Sequence, residues 1–444
     1  DPRYPSQWWL RAAGGTNANA IADRLRGVPG FLRAWQSGLP GATGRATAVV
    51  AELDTGITPH PDLEGRILPG YDFVSETVYS NDGNGRDADP TDPGDWVSST
   101  DRSDAAFKDC EVEDSSWHGT IISALVAAAT DNGIGVAGIN RDGRVLPVRG
   151  AAVADIIDGM RWAAGLSVAG VPLNPNPARI INISFGGSAA CGDAYLSAIN
   201  ELRAVGAIVI AAAGNEFGAP TRQASCSGAV GVVALNRDGF KTNYSNFGSV
   251  LSASGIATVG GDDSAGGWGD LLGDSGLFTA WNDGLRQVGT PDYSSMFGTS
   301  FSAPLVSGAA SLMLSVNATL SAAQLIDGLR RSARPHVSSP RIGICSSANP
   351  GRCICTSDTC GAGILDAEQA LLFAASPASY VAPVRQAEVI DNTEVTQASA
   401  RGLDRSGTTT PPPATDPGTG SSSSSGGGAM DGGWLAGLAL ATSL

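Results

Sequence analysis

Residues 49–57 read VVAELDTGI, an apolar, partly β-branched run that stops at an aspartate and a Thr-Gly pair. A run of that length, closed by turn-forming residues, reads as a buried strand. It leaves Asp54 at the carboxyl end of a strand beginning near residue 48. Similar runs lie at 144–148, 180–183, 207–212 and 230–234, separated by Ala-rich stretches of helical length at 119–129, 155–164, 194–204 and 302–314. Strands that are apolar throughout, alternating with helices, predict an α/β fold, a doubly wound and mostly parallel sheet with helices on both faces. Reacting groups in such folds collect beyond the carboxyl ends of the strands. Asp54 and Asn215, each just past a strand, are therefore expected to converge.

The chain has 444 residues, of which 42% are hydrophobic and 16% charged, enough apolar material for one large core. Residues 1–375 read as that domain. Residues 376–400 are mixed, a short helix or a linker, and 406–428 are almost wholly Thr, Pro, Ser and Gly, so 376–428 reads as a linker with a disordered spacer. Residues 429–444 end in an apolar tail too short to span a bilayer. It reads either as a sorting or anchoring signal for a membrane or cell surface or as an incidental apolar terminus. The opening DPRYPSQWWL has neither the charged n-region nor the apolar core of a signal peptide, so any secretion signal is expected to have been removed or omitted. A net charge of -15 argues against a nucleic-acid partner, which needs a basic face.

Seven cysteines are present. Cys345, Cys353, Cys355 and Cys360 cluster among Ser, Gly and Pro and read as a stapled loop, with buried thiols the alternative; four cysteines allow three pairings. Disulfides would imply an oxidising compartment. An odd count leaves at least one thiol over.

Three distant segments carry the residue types of a nucleophilic hydrolase: Asp54, His118 in SSWHGT, and Ser300 in GTSFSAP at 298–304. A serine hydroxyl needs a base, and near neutral pH that is a histidine. Of three histidines, His60 sits in a proline-locked turn and His336 follows Pro335 in a polar stretch. His118, followed by Gly119 at a helix start, is left as the base, with Asp54 to orient it. Asn215 ends the run AAAGN and can donate a side-chain N–H to an oxyanion, together with the Ser300 backbone N–H.

Taken in order, ELDTGI, WHGT, INISFGG, AAAGN and GTSFSAP resemble the subtilisin-like serine proteases over roughly residues 1–370. The nearest likeness is to secreted bacterial, calcium-dependent extracellular enzymes. The resemblance implies endopeptidase action on extended or unfolded chains by a monomer, with Asp54, His118 and Ser300 as triad and Asn215 as oxyanion donor. It also implies that Ser184, Phe185 and Gly186 pair with the substrate backbone and, with Ala212, Ala213 and Gly214, line the pocket for the residue before the cleaved bond. Structural calcium is implied at Asp62 and Asn132, with the backbone of Thr130, Ile134 and Val136. A second place is the loop 82–95, DGNGRDADPTDPGD, whose Asp82, Asp87, Asp89 and Asp92 offer hard oxygen ligands; a solvated acidic loop is the alternative reading. Cys191 and Cys226 resemble a family disulfide.

The chain departs from that family after Val148-Arg149, where relatives carry a longer stretch with a Cys-Gly-Gly turn. The expectation is a cleft more open on that side, with Cys110, which resembles the partner of that turn, as the odd thiol. The competing reading is an impaired, subtilase-like surface protein. A non-enzymatic doubly wound binding protein gives no reason for five motifs in order.

Overall fold

The computed structural model describes residues 1–14, 25–108, 110–187, 189–262, 271, 274 and 276–402. The spacer beyond 402 and the apolar tail, with the roles considered for them, lie outside the described residues. Seven strands, β1 (Val49–Asp54), β2 (Tyr71–Asp72), β3 (Arg144–Arg149), β4 (Ile180–Ile183), β5 (Ile208–Ala212), β6 (Val230–Leu235) and β7 (Ile256–Val259), form one sheet in the order β2-β3-β1-β4-β5-β6-β7. Every pairing is parallel. The chain passes from β3 to β4 across β1, so strand order reverses there, and Asp54 stands at the carboxyl mouth of that switch point.

Strand periodicity divides the core. Val50, Ile180, Ile208, Ile210 and Val232 pack against the helices His118–Ala127 and Thr299–Val316. Their neighbours Ala51, Leu53, Leu146, Ile181 and Val209 pack on the other face against Val153–Ala163 and Asp193–Ala204. Both faces are covered, which is why the strands read as continuous apolar runs.

Two features go beyond the sequence reading. An antiparallel hairpin, β8 (Leu277–Asn282) with β9 (Pro291–Met296), stands apart from the main sheet. Past residue 375, Ile390, Val395 and Ala398 are buried in a third core with Val337, Ile342 and the Cys345–Cys360 region. Within 376–400, expected as a short helix or a linker, Thr393–Ala400 is a helix, and with Ile390 it contributes to the packed domain.

Candidate active site

Asp54 and His118 meet because β1 and the His118–Ala127 helix come unusually close. A Cβ on Gly119 would lie 2.0 Å from the Gly56 carbonyl oxygen, so only glycine fits beside the histidine. His118 Nδ1 lies 2.7 Å from Asp54 Oδ1, and the Thr55 N–H donates to that same oxygen at 2.8 Å. These bonds orient the ring and leave Nε2 buried, with no hydrogen-bond partner in the described structure. Trp117, just before the helix, is held at φ 55, a conformation costly for a bulky residue. Its indole N–H donates to the Gly284 carbonyl at 2.6 Å, and Ser115 bonds Leu285 and Arg286, so the tip of the β8–β9 hairpin clamps the approach to His118.

Ser300 is the second residue of the Thr299–Val316 helix. Its hydroxyl donates to the Ser184 carbonyl at 2.6 Å, and the Ser184 hydroxyl returns a bond to the Ser300 carbonyl at 2.8 Å. The second bond answers a vacancy made by the sequence: Pro304 has no N–H to offer the carbonyl four residues back. The ring of Phe301 lies 5.5 Å from that of His118, which puts the helix start beside the imidazole. Asn215 is anchored through its carbonyl oxygen, accepting from the Thr299 N–H and hydroxyl at 2.9 Å each. Its Nδ2 lies beside Gly298, which has a φ of 148; a Cβ on that glycine would stand 3.6 Å from Nδ2, so a side chain there would touch the amide.

Beneath these groups lies a carboxylate layer. Asp92 accepts the Thr55 hydroxyl at 2.6 Å, and Asp95 accepts the Ser116 N–H and hydroxyl, each at 2.6 Å. Burial raises the pKa of both. Burial pulls His118 down, but the Asp54 charge and hydrogen bond, with Asp95 and Asp92 behind them, outweigh it and leave the imidazole above its ordinary value.

Of the expected substrate contacts, Ser184 is buried and Phe185 and Gly186 are half-buried. Ala212 and Ala213 are buried at the end of β5, and the carbonyls of Ala213 and Gly214 accept from Asn246. No strand stands between β3 and the next helix: Gly150 and Ala151 lead directly into Val153–Ala163. A cavity opens beside them, reached by Asp54, His118, Phe185, Tyr79, Phe107 and Cys110. Cys110 stands outside the three disulfides, Cys191–Cys226, Cys345–Cys353 and Cys355–Cys360.

The expected calcium ligands separate into two cases. Asp62 is fully buried; it accepts Asn132 Nδ2 at 3.1 Å and the Val136 N–H at 2.8 Å. The Asp1 carboxylate, unforeseen from the sequence, accepts the N–H groups of Asp131 and Asn132. Two carboxylates thus bracket the 130–136 loop that carries the Thr130, Ile134 and Val136 carbonyls. The Tyr293 hydroxyl also bonds the Asp62 carboxylate; the two carboxylates and the loop carbonyls are hard oxygen donors of the type a calcium ion takes. The 82–95 loop does not gather its carboxylates in this way. Asp82 pairs with Arg149 at 2.9 Å, Asp87 accepts from Asn84 and the Asp89 N–H, and Asp89 accepts from Thr91. Asp92, expected among the ligands, faces inward to Thr55 and Gly94 instead. Among the described residues the only convergent group of three His, Cys, Asp or Glu is Cys345, Cys355 and Cys360, all spent on disulfides.

Comparison with known proteins points the same way as the geometry. The chain is 36% identical over 383 residues to an "Extracellular protease" of Xanthomonas campestris pv. campestris, covering 84% of this chain and 56% of that protein. It is 35% identical over 343 residues to an "Extracellular basic protease" of Dichelobacter nodosus, covering 75% of this chain and 51% of the other. The chain therefore spans about half the length of these curated relatives. Among solved structures, a protease from Pseudoalteromonas arctica superposes with a TM-score of 0.69 at 36% identity, covering 84% of this chain and 98% of that one. Residues 45–363 match the sequence profile described as "Subtilase family". With an aspartate-held histidine at the switch point of a parallel sheet and a serine at a helix start beside it, the chain belongs to the subtilase family.

Proposed function

We propose that this chain is a secreted serine endopeptidase that cleaves extended or unfolded proteins through an acyl-enzyme on Ser300. The observation that carries the reading is His118 Nε2, buried and without a partner, beside the helix that begins with Thr299-Ser300. In the mechanism, the Ser300 hydroxyl leaves the Ser184 carbonyl for Nε2, gives up its proton, and attacks the scissile carbonyl. Asp54 stabilises the imidazolium. The new oxyanion takes hydrogen bonds from Asn215 Nδ2 and the Ser300 N–H. His118 then protonates the departing amine, and water repeats the sequence on the ester. An extended substrate lies against Ser184–Gly186 by strand addition, with its residue before the cleaved bond near Ala212, Ala213 and Gly214.

One observation favours the competing reading of an impaired surface protein: the Ser300 hydroxyl is bonded to Ser184, not to the imidazole. Catalytic hydrogen bonds commonly form only with substrate bound. A fluorophosphonate probe decides between them. The endopeptidase reading expects one adduct per chain, mapped to Ser300 by peptide sequencing; folded protein that never labels overturns it.

Calcium belongs to the same proposal. Asp62, Asn132 and the Thr130, Ile134 and Val136 carbonyls, with Asp1, would hold the ion and tie the N-terminus to the loop after the His118 helix. Its role there would be structural, offsetting the charge of two carboxylates. Chelation is expected to lower Tm by several degrees, on the order of the shift that a few kcal/mol produces in a domain of this size, and Asp62→Asn should abolish that response. A Tm indifferent to chelator rejects the site.

A further inference from the structure

Two buried acidic residues on one strand carry carboxyl oxygens that lack a hydrogen-bond partner in the described structure. Both carboxyl oxygens of Glu52 and the Oδ2 of Asp54 are buried and have none in the described structure. Glu52 is 2% exposed, in the middle of β1. Residues two apart on a strand share a face, so Glu52 and Asp54 both project into the layer beneath the His118–Ala127 and Thr299–Val316 helices, opposite Leu53. Strand pairing sets Glu52 between Pro147 of β3 and Asn182 of β4.

The surroundings decide its protonation. Burial first, and then the Asp54 charge, push its carboxyl well above the ordinary range, against a weaker opposing contribution from the Asn182 amide. The Asn182 amide donates one N–H to the Ser184 hydroxyl and accepts from Ser307, at 2.8 Å each, which leaves its second N–H for the weaker contact with Glu52. Pro147 has no N–H. The His118–Ala127 helix brings one titratable group, His118, while β4 and the Thr299–Val316 helix bring none; Arg149, at the end of β3, is spent on Asp72, Asp82 and the Ser80 carbonyl. A neutral carboxyl is a donor. The acceptor two residues away without a partner is Asp54 Oδ2, and buried polar groups seldom go unpaired.

We propose that Glu52 is a positioning residue of the triad: as a neutral acid it donates a hydrogen bond to Asp54 Oδ2 and keeps Oδ1 directed at His118. The inference rests on the triad reading. It carries a pH signature whose sign is fixed. An acid with a raised pKa makes its contribution while protonated and loses it as pH rises through that pKa. Above that point Glu52 ceases to donate and sets a second negative charge against Asp54.

The test is the fluorophosphonate inactivation rate of the full chain, followed from about pH 5 to about pH 11, a range that brackets the histidine and tyrosine reference values. Wild type should lose rate at the alkaline end. Glu52→Gln retains an N–H donor and cannot ionise, so it should stay within about threefold of wild type at neutral pH and hold its rate where wild type declines. Glu52→Met keeps the bulk and loses the donor; its kcat on a peptide substrate should fall about tenfold with KM unchanged, the scale of one hydrogen bond to a charged group. An alkaline decline in Glu52→Gln identical to that of wild type overturns the proposal, as does a Glu52→Met enzyme equal to wild type at every pH. Should Glu52→Met fail to fold, the Glu52→Gln profile decides alone. A wild type that never labels overturns the triad reading and this proposal with it, whereas labelling with matching profiles overturns only the role of Glu52.

Discussion

Ser300→Ala is expected to fold and to lose peptide hydrolysis by about 10⁶-fold in kcat, the factor measured for loss of the nucleophile in subtilisin itself. Folding should survive because the change is local. The hydroxyl gives up one bond to the Ser184 carbonyl, worth about 1 kcal/mol, and alanine favours a helix more than serine does. The returning bond, from the Ser184 hydroxyl to the Ser300 carbonyl, uses backbone and persists. Tm should therefore move by a few degrees at most. Ser300→Ala combined with His118→Ala should be no worse than either alone, since the pair acts as a unit. In the wild type, activity should fall as pH drops through a midpoint above the ordinary histidine value of about 6.5, because the base works only when neutral and the surrounding carboxylates favour its protonated form. A chromogenic peptide assay across pH, with Tm measured in parallel, checks each part. If Ser300→Ala kept more than about a hundredth of the wild-type rate, the nucleophile would have to be sought elsewhere.

How much of this was legible in the sequence depends on whether the determinant was local. The apolar runs and their turn residues mark the strands, and Asp54, His118 and Asn215 take their places from the short segments that carry them. Gly119 is legible too, since its need is set by the adjacent histidine. What escaped depends on distant pairings. The indole of Trp117 finds its acceptor 167 residues away, in a hairpin whose irregular burial gives a weak strand signal. The 82–95 loop shows the limit of composition: its many aspartates suggested a metal, yet Asp92 turns inward to carry Thr55 while Asp82 meets an arginine from β3. Nothing in the loop itself says which carboxylates face the interior. Glu52 is a third case. It reads as one polar residue in a strand, and only the two covering helices make it a buried acid beside Asp54.

Asn215→Asp should lower kcat by about 10²–10³ while leaving KM and Tm near wild type, again a magnitude taken from the subtilisin oxyanion donor. The substitution is chosen because the proposed mechanism gives Asn215 two tasks. Its Oδ1 holds the Thr299 N–H and hydroxyl at the start of the Ser300 helix. Its Nδ2 lies beside Gly298, 3.6 Å from where a Cβ on that glycine would stand, and in the proposed mechanism it donates to the oxyanion. Aspartate keeps the acceptor and replaces the donor with a second oxygen, so the helix start stays anchored while the tetrahedral intermediate meets repulsion in place of a hydrogen bond. Asn215→Ala removes both tasks; it should lose a similar factor in kcat and, in addition, about 1 kcal/mol of stability for the lost anchor. The contrast separates the two roles. If Asn215 served only to fix the helix, the aspartate variant would keep its activity and the alanine variant would lose stability and rate together. If it donates to the transition state, both lose kcat and only alanine loses Tm. The new carboxylate should also move the acid limb of the aspartate variant upward, since a further negative charge near His118 favours the imidazolium.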